Sequence, residues 1–408
     1  MTVVGSGLGS SIGIAKEASY GYYAVPTSWT EFTDESLEFS PHFYQGKGLA
    51  AGNTTPKAAQ RVVTAAEALG SVKTMMFQNG MGKWLSNFTG DTSAPVQQGG
   101  GAAYLQTHAW AANPAGVSHT IQKGVAQTNG TVNPYTLVGG KITDATFSCS
   151  DGNPLEVQWT LDGQDLLTTN NPTQPVATTL TTGTNSSGAS TLTVSSTTNF
   201  ASAGSIVVGG TTYTYSGTSG GTSFTGVSPT LAATYSAGTG VFPLPTFTSP
   251  TYLTSNPEYH FAEMTVKAGT YGSETAVAGV RKFQAQIKRP YDTKRFFADG
   301  TGRKSEPIQN DFTDFKITLD TDYIDTTVFA DKFPGQTNIS LIFTWTSTII
   351  ASTYAYSYTM AFPNCRLDKE TPKVGGPGVV TPSFQFTTLN DETHTPLTVT
   401  YQSTDTAL

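Results

Sequence analysis

A chain of 408 residues with 37% hydrophobic content can bury one large core or two to three small ones, which excludes a disordered chain. Lys and Arg number 22 against 29 Asp and Glu, a net charge of -7 that argues against a surface built to grip phosphates. Charged residues make up only 12%, while Gly, Ser, Thr, Tyr and Phe are abundant, a balance that favours many short strands.

The first twenty or so residues lack a basic segment followed by an apolar run, so no secretory signal is expected, and synthesis in a cytoplasm follows. No stretch reaches the roughly eighteen apolar residues of a membrane helix. After a Gly/Ser-rich arm (residues 1–11) that reads as loose, residues 12–23 and 36–39 read as extended. Residues 40–56 contain Gly, Pro and Asn with little apolar periodicity and read as a long loop of the kind that carries function. Residues 57–76 are ambiguous, because the alanines favour a helix while Val62, Val63, Val72 and Gly70 favour two strand segments. The best helix, residues 80–88, has Asn79 as its cap, Met81, Trp84, Leu85 and Phe88 at i, i+3, i+4 and i+7, and Gly90 as its stop. Gly99-Gly100-Gly101 lacks the Lys-Ser/Thr tail of a phosphate loop and reads as a linker. Strands are predicted around residues 104–110, 118–122 and 135–138.

Residues 137–163 read as a hairpin with two unlike faces. Ala145, Phe147 and Cys149 alternate with Asp144, Thr146, Ser148 and Ser150, and Leu155, Val157, Trp159 and Leu161 alternate with Glu156, Gln158, Thr160 and Asp162. Ser150-Asp151-Gly152-Asn153-Pro154 supplies the turn between them. One face requires a core. The other carries Asp144, Glu156 and Asp162 with no Lys or Arg among them. It is either the solvated side of an antiparallel sheet or the lining of something.

No charged side chain lies between Asp165 and Glu258. Within that region residues 177–243 read as an inserted module of short strands and Gly turns, with Ile206/Val208 and Tyr213/Tyr215 at strand spacing. Pro172 and Pro175 before it, and Pro243, Pro245, Pro250 and Pro257 after it, look like linkers. Further on, residues 263–266 and 281–288 suggest an antiparallel pair, residues 299–303 a turn and residues 312–319 a strand. Tyr354, Tyr356, Tyr358 and Met360 share one face, and residues 384–401 suggest a last hairpin across Asn390-Asp391.

The two cysteines, Cys149 and Cys365, are too few for a disulfide framework and read as buried thiols. His42, His108, His119, His260 and His394 are scattered, without the spacing of a metal site. Asp320, Asp322 and Asp325 lack the Gly and distal Glu of a calcium loop. No nucleophile has a recognisable base, so neither a catalytic residue, a cofactor nor a metal is assigned.

Three stretches carry a likeness: Lys16-Glu17 with Tyr20-Gly21, residues 137–163, and Gly375-Gly376-Pro377-Gly378-Val379-Val380 through Leu397 to Asp405. Together they resemble the major tail tube protein of long, flexible-tailed (siphovirus-type) bacteriophages. The resemblance covers the chain outside residues 177–243. That insert, with Asn199-Phe200, Gly209-Gly210, Tyr213 and Tyr215, resembles a small β-module of virion proteins. The resemblance implies an all-β fold with one short helix, a tail-tube-type β-sandwich or half-barrel built from residues 1–176 and 244–408. It implies a non-enzymatic subunit that polymerises as stacked hexameric rings, a homo-oligomer enclosing a channel through which DNA passes without specific binding. Its further implied partners are tail terminator, tape measure and baseplate proteins of the same phage. The implied location is the virion tail, assembled in the host cytoplasm, with no membrane contact. Under this reading Asp144, Glu156, Gln158 and Asp162 face the lumen, while the loop carrying His42, Tyr44 and Lys47, with the N-terminal arm, bridges subunits. Two other classes share the composition, a carbohydrate-binding adhesin and a tail-associated hydrolase. Major capsid protein lacks support because no long helical stretch is present.

Overall fold

The structure is a computed structural model describing residues 3–49, 52, 54–91, 93–168, 178–181, 185–198, 200–298, 302–324, 326–327, 329–369 and 372–408. In chain order the main strands are β1 (Gly5–Lys16), β2 (Ser28–Thr30), β3 (Glu38–Gln45) and β4 (Arg61–Met75), followed by the helix α1 (Gly82–Thr89). Next come β5 (Tyr104–Ala109), β6 (His119–Gln127), β7 (Val132–Ser150), β8 (Glu156–Gly163) and β9 (Asp165–Leu167). The insert contributes β10 (Gly204–Val208), β11 (Thr211–Tyr215) and β12 (Gly240–Pro243). The chain closes with β13 (Met264–Gly269), β14 (Val280–Lys288), β15 (Asp314–Thr321), β16 (Ile339–Ala351), β17 (Tyr354–Lys369), β18 (Ser383–Thr388) and β19 (Thr398–Ser403). The fold is therefore all-β, with α1 the one α-helix among the described residues.

Two long strands tie the sheets together. The first sheet runs β3-β4-β8-β7-β14-β15-β18-β17, antiparallel throughout. The second runs β5-β19-β17-β16-β13, and a third runs β2-β1-β6-β7-β9. Thus β7 serves the first and third sheets, and β17 the first and second. The predicted hairpin is the centre of the first sheet, with Phe147 opposite Val157 and Ala145 opposite Trp159. Its apolar side chains are all buried.

Alternation on the hairpin sets the core, because each second residue must leave water. Trp159 stacks on Trp84 of α1 at 5.8 Å and meets Phe147 edge-on at 5.5 Å. Its Nε1 donates to Thr74 Oγ1 at 3.1 Å, satisfying the one polar atom of the ring. From the second sheet Tyr358 lies over Phe147, and Trp345 and Phe343 meet Phe283 of β14. The two sheets face each other across one core, and the stripe Met81, Trp84, Leu85 and Phe88 of α1 fills it from the side.

Several expectations change. Residues 40–56 are not one loop: residues 40–45 belong to β3, paired with β4 from Ser40 opposite Glu67 to Gln45 opposite Arg61. Pro41 is tolerated because β3 has no strand on its outer side among the described residues. Residues 61–75 form one strand, the alanines overruled by partners on both sides. Gly70 sits there at φ 148, where a Cβ would lie 2.4 Å from the Ser36 carbonyl. The glycine-rich arm is paired rather than loose at Gly5 and Ser6, opposite Gln127 and Ala126, and again from Ser11, opposite Gly124, with an irregularity between. Met81, not Asn79, occupies the cap position of α1; Asn79 instead exchanges amide bonds with Asn256 and accepts from Thr404. Gly90 does stop the helix, at φ 78.

Strands β13 and β14 do not pair with each other, since β13 joins β16 and β14 joins β7 and β15. Likewise β18 and β19 are no hairpin, each being drawn to a different part of β17. Local sequence shows that these segments are strands, while the choice of partner is set by the long strands that unite the sheets. Cys149 and Cys365 are buried and free. Pro172, Pro175, Asn199, Asp325 and most of the expected 299–303 turn lie outside the described residues.

The insert has a core of its own, with Leu192, Ile206, Val208, Tyr213, Phe224 and Val241 packed apart from the main cluster. The return segment is no free tether. Gln122 of β6 clamps it with both ends of its amide, Nε2 donating to the Thr246 carbonyl at 3.0 Å and Oε1 accepting from Thr248 N–H at 3.0 Å.

Candidate functional surfaces

The first sheet turns its apolar face to the core and its polar face outward, with Glu156, Gln158, Thr146, Ser148, Gln284, Gln286, Thr318 and Gln385 in neighbouring rows. The hairpin alone suggests an acidic surface. Its neighbours change that: the face carries Lys73, Lys282, Lys288, Lys316 and Arg366 beside Asp144, Glu156, Asp314, Asp320 and Asp368. Lys73 pairs with Glu156 at 2.9 Å and Lys316 with Asp314 at 2.6 Å, and Lys288 stands between Asp144 and Asp314 in the register. The surface is of mixed charge because adjacent strands supply the cations. Burial pushes the Asp144 carboxyl up, with the Gln286 hydrogen bond opposing.

Asp162 leaves this surface. It has the same strand parity as Glu156 and Gln158, but it is 7% exposed, because residues 289–298 and 302–309 cross over that end of the sheet. This strap is fastened by charge. Arg303 pairs with Asp165 at 3.1 Å, Lys141 with Glu306 at 2.5 Å, and Lys304 with both Asp162 at 2.5 Å and Glu67 at 3.2 Å. Glu67 Oε1 also accepts from Lys294 at 2.5 Å and bonds the His42 ring at 3.1 Å. Arg289 donates to the Thr89 and Ala111 carbonyls and lies 3.7 Å over the Trp110 ring. Burial lowers the Arg289 guanidinium to about 10. Sequence reading missed this cluster, since Glu67, Asp162 and Lys304 share no local motif.

The hairpin of β3 and β4 stands clear of the body at its tip. Arg61, Val62, Val63 and Thr64 are exposed in succession, so both of its faces are bare. Phe43 pairs with Val63 on one face and Tyr44 with Val62 on the other, all four exposed. Arg61 lies 4.5 Å over the Phe43 ring. Of the three residues expected in a bridging loop, Tyr44 is on this hairpin, Lys47 follows it exposed, and His42 is held at its base by Glu67.

No protein-family model and no curated protein matches this chain.

A second buried node orders the N-terminal strand. Glu17 accepts from the Gly21 and Gly139 N–H groups at 2.9 and 2.8 Å and from the Ser118 and Thr120 hydroxyls at 2.7 and 2.9 Å. Burial raises its carboxyl to about 7 against the pull of these donors. Gly139 has φ 71, and a Cβ there would lie 2.9 Å from Tyr20 and Gln164, so only glycine brings that N–H to the carboxylate. Lys16-Glu17, Tyr20-Gly21 and the start of the central hairpin, distant in sequence, are one structural unit.

Among the described residues no group of His, Cys, Asp and Glu is disposed to hold a metal ion. Among the described residues no helix is long and apolar enough to cross a membrane.

Proposed function

We propose that this chain is a structural subunit that joins edge to edge into rings and stacks into a tube, of the kind found in tails of long, flexible-tailed bacteriophages. The polar face of the first sheet would line the channel. The observation that carries this reading is that the first sheet is open at both ends. Among the described residues β3 has no strand on its outer side, and residues 366–369 of β17 pair as a strand only with β18, with the Gln336 side chain donating to the Leu367 carbonyl at 3.2 Å. Exposed edges are a liability that ring closure removes, because the two unlike edges of neighbouring copies supply each other's missing partners.

The bare apolar hairpin tip supports the same reading, since exposed Phe and Val pairs on a projecting arm need a cover. The mixed polar face suits passage of DNA: each cation has an acid beside it, so phosphates meet no unbalanced basic patch. Negative-stain microscopy of the concentrated chain tests the proposal. Rings or hollow tubes support it, and a monodisperse monomer at high concentration contradicts it.

A glycan-binding role has one feature in its favour. An aromatic groove of about 460 Å³, lined by Tyr22, Tyr23, Phe200 and Tyr215 with Lys16 as its one charged side chain, lies between the insert and the N-terminal segment. Binding to a glycan array that is lost in Phe200→Ala would favour that role.

A further inference from the structure

Glu67, Asp162 and Lys304 come from β4, β8 and the strap and meet in one closed spot. Leu69 is the register partner of Asp162, so Glu67 stands one side-chain place along the same face of the adjacent strand. Ala66 bridges Arg303 in parallel and donates its N–H to the Gly302 carbonyl at 3.2 Å, which sets Lys304 against both acids. Lys304 Nζ is 2.5 Å from Asp162 Oδ1 and 3.2 Å from Glu67 Oε2, and all three side chains are buried. Asp162 Oδ2, also buried, has no hydrogen-bond partner. Two opposite charges are costly to keep in such a place, and an ion pair relieves the cost by passing its proton from ammonium to carboxylate.

We propose that Lys304 and Asp162 become joined by an intramolecular isopeptide bond, formed without any other protein and with Glu67 as the proton shuttle. The Lys304 Nζ lone pair attacks Asp162 Cγ in its acid form. Glu67 Oε2 takes a proton from the new C–N nitrogen and delivers it to the departing hydroxyl. The C–OH bond breaks, one water leaves, and Glu67 returns to its starting state. Burial raises the Asp162 carboxyl, against the charge and hydrogen bond of Lys304, which favours the acid form. Burial also raises Glu67, but the hydrogen bonds of Lys294, Lys304 and His42 with the Lys304 charge outweigh it and hold Glu67 down to about 2. His42 and Lys294 grip Oε1 and leave Oε2 turned to Lys304. The bond closes a loop of 142 residues and fixes the strap to the first sheet. The inference does not rest on the tube reading.

Intact-mass measurement of the denatured full chain reads the bond directly. The expected mass is one water below that of the sequence, and a digest yields a branched peptide joining the segment with Asp162 to the segment with Lys304. Lys304→Arg keeps a cation beside Asp162 and is expected at full mass, with a lower thermal midpoint than the linked chain. Glu67→Gln is expected to stay mostly unlinked over the time in which the wild type is complete. A folded wild type at full mass after long incubation overturns the proposal. So does a water loss that persists in Lys304→Arg, which assigns it to dehydration at Asp151-Gly152, Asp162-Gly163 or Asp299-Gly300. Linking of Glu67→Gln at the wild-type rate overturns the role of Glu67.

Discussion

The double substitution Phe43→Ser with Val63→Ser tests whether the hairpin tip is a contact between subunits. The two side chains are cross-strand partners, 53% and 56% exposed. Burying a whole Phe or Val side chain contributes roughly 1.5–3 kcal/mol, so covering the exposed half of each contributes about 1.5–3 kcal/mol per subunit contact for the pair. At about 1.4 kcal/mol per factor of ten, the substitutions weaken each contact by roughly ten- to a hundredfold. The subunit itself changes little, because exposed positions shift stability by about 0.5 kcal/mol and loss of the Arg61 contact to the Phe43 ring adds at most about 1 kcal/mol. The assay is the critical concentration for assembly, by sedimentation velocity across a dilution series, with urea unfolding of the subunit as control. A critical concentration within about twofold of wild type, with the fold intact, refutes the assignment.

Trp159→Ala removes the ring at the centre of the core and the donor to Thr74, so urea unfolding is expected to show a loss of about 3–5 kcal/mol. Glu17, raised to about 7 from 4.5, adds stability below pH 4.5 that is lost as pH rises through 7, about 3 kcal/mol in all. His108 and His119, pushed down to about 4 and about 3 by burial, act oppositely and weaken the fold as pH falls below 6.5. The diagnostic is therefore the difference between wild type and Glu17→Gln in thermal midpoint, which is expected to favour wild type more at pH 5 than at pH 8. Replacing residues 178–243 by a short Gly/Ser linker is expected to leave the main fold intact by circular dichroism, whereas extending the deletion through Thr248 strips both bonds from Gln122 and lowers the midpoint. Asp144→Lys with Glu156→Lys unbalances the polar face, and assembled tubes are expected to retain DNA in a salt-dependent manner by filter binding.

The central hairpin was legible because burial acts residue by residue: Phe147, Trp159 and their neighbours alternate with polar side chains, and that pattern survives any choice of flanking strands. The stripe and stop of α1 were legible for the same local reason. Strand partnership was not. Residues 263–266 lie near residues 281–288 in sequence, yet β13 finds β16 instead, because the β16–β17 hairpin, about 70 residues further on, offers it the other side of β16. Pro41 hid β3, since a proline reads as a breaker unless the strand is known to be an edge. The acidity assigned to the polar face came from reading two strands in isolation, while Lys73, Lys282 and Lys288 arrive only with β4 and β14. The same holds for the buried cluster: Asp162 looks solvent-facing by parity, and only the crossing of the strap at Lys304 reveals that it is covered.

The central claim is that the first sheet closes edge to edge with copies of itself around a channel. A reconstruction of the assembled chain at side-chain resolution measures this directly. The account predicts that β3 of one subunit lies beside residues 366–369 of its neighbour, with Gln158, Gln284 and Gln286 facing the lumen. An assembly in which that face lies on the outside or is buried against another subunit, with both edges left open, contradicts it.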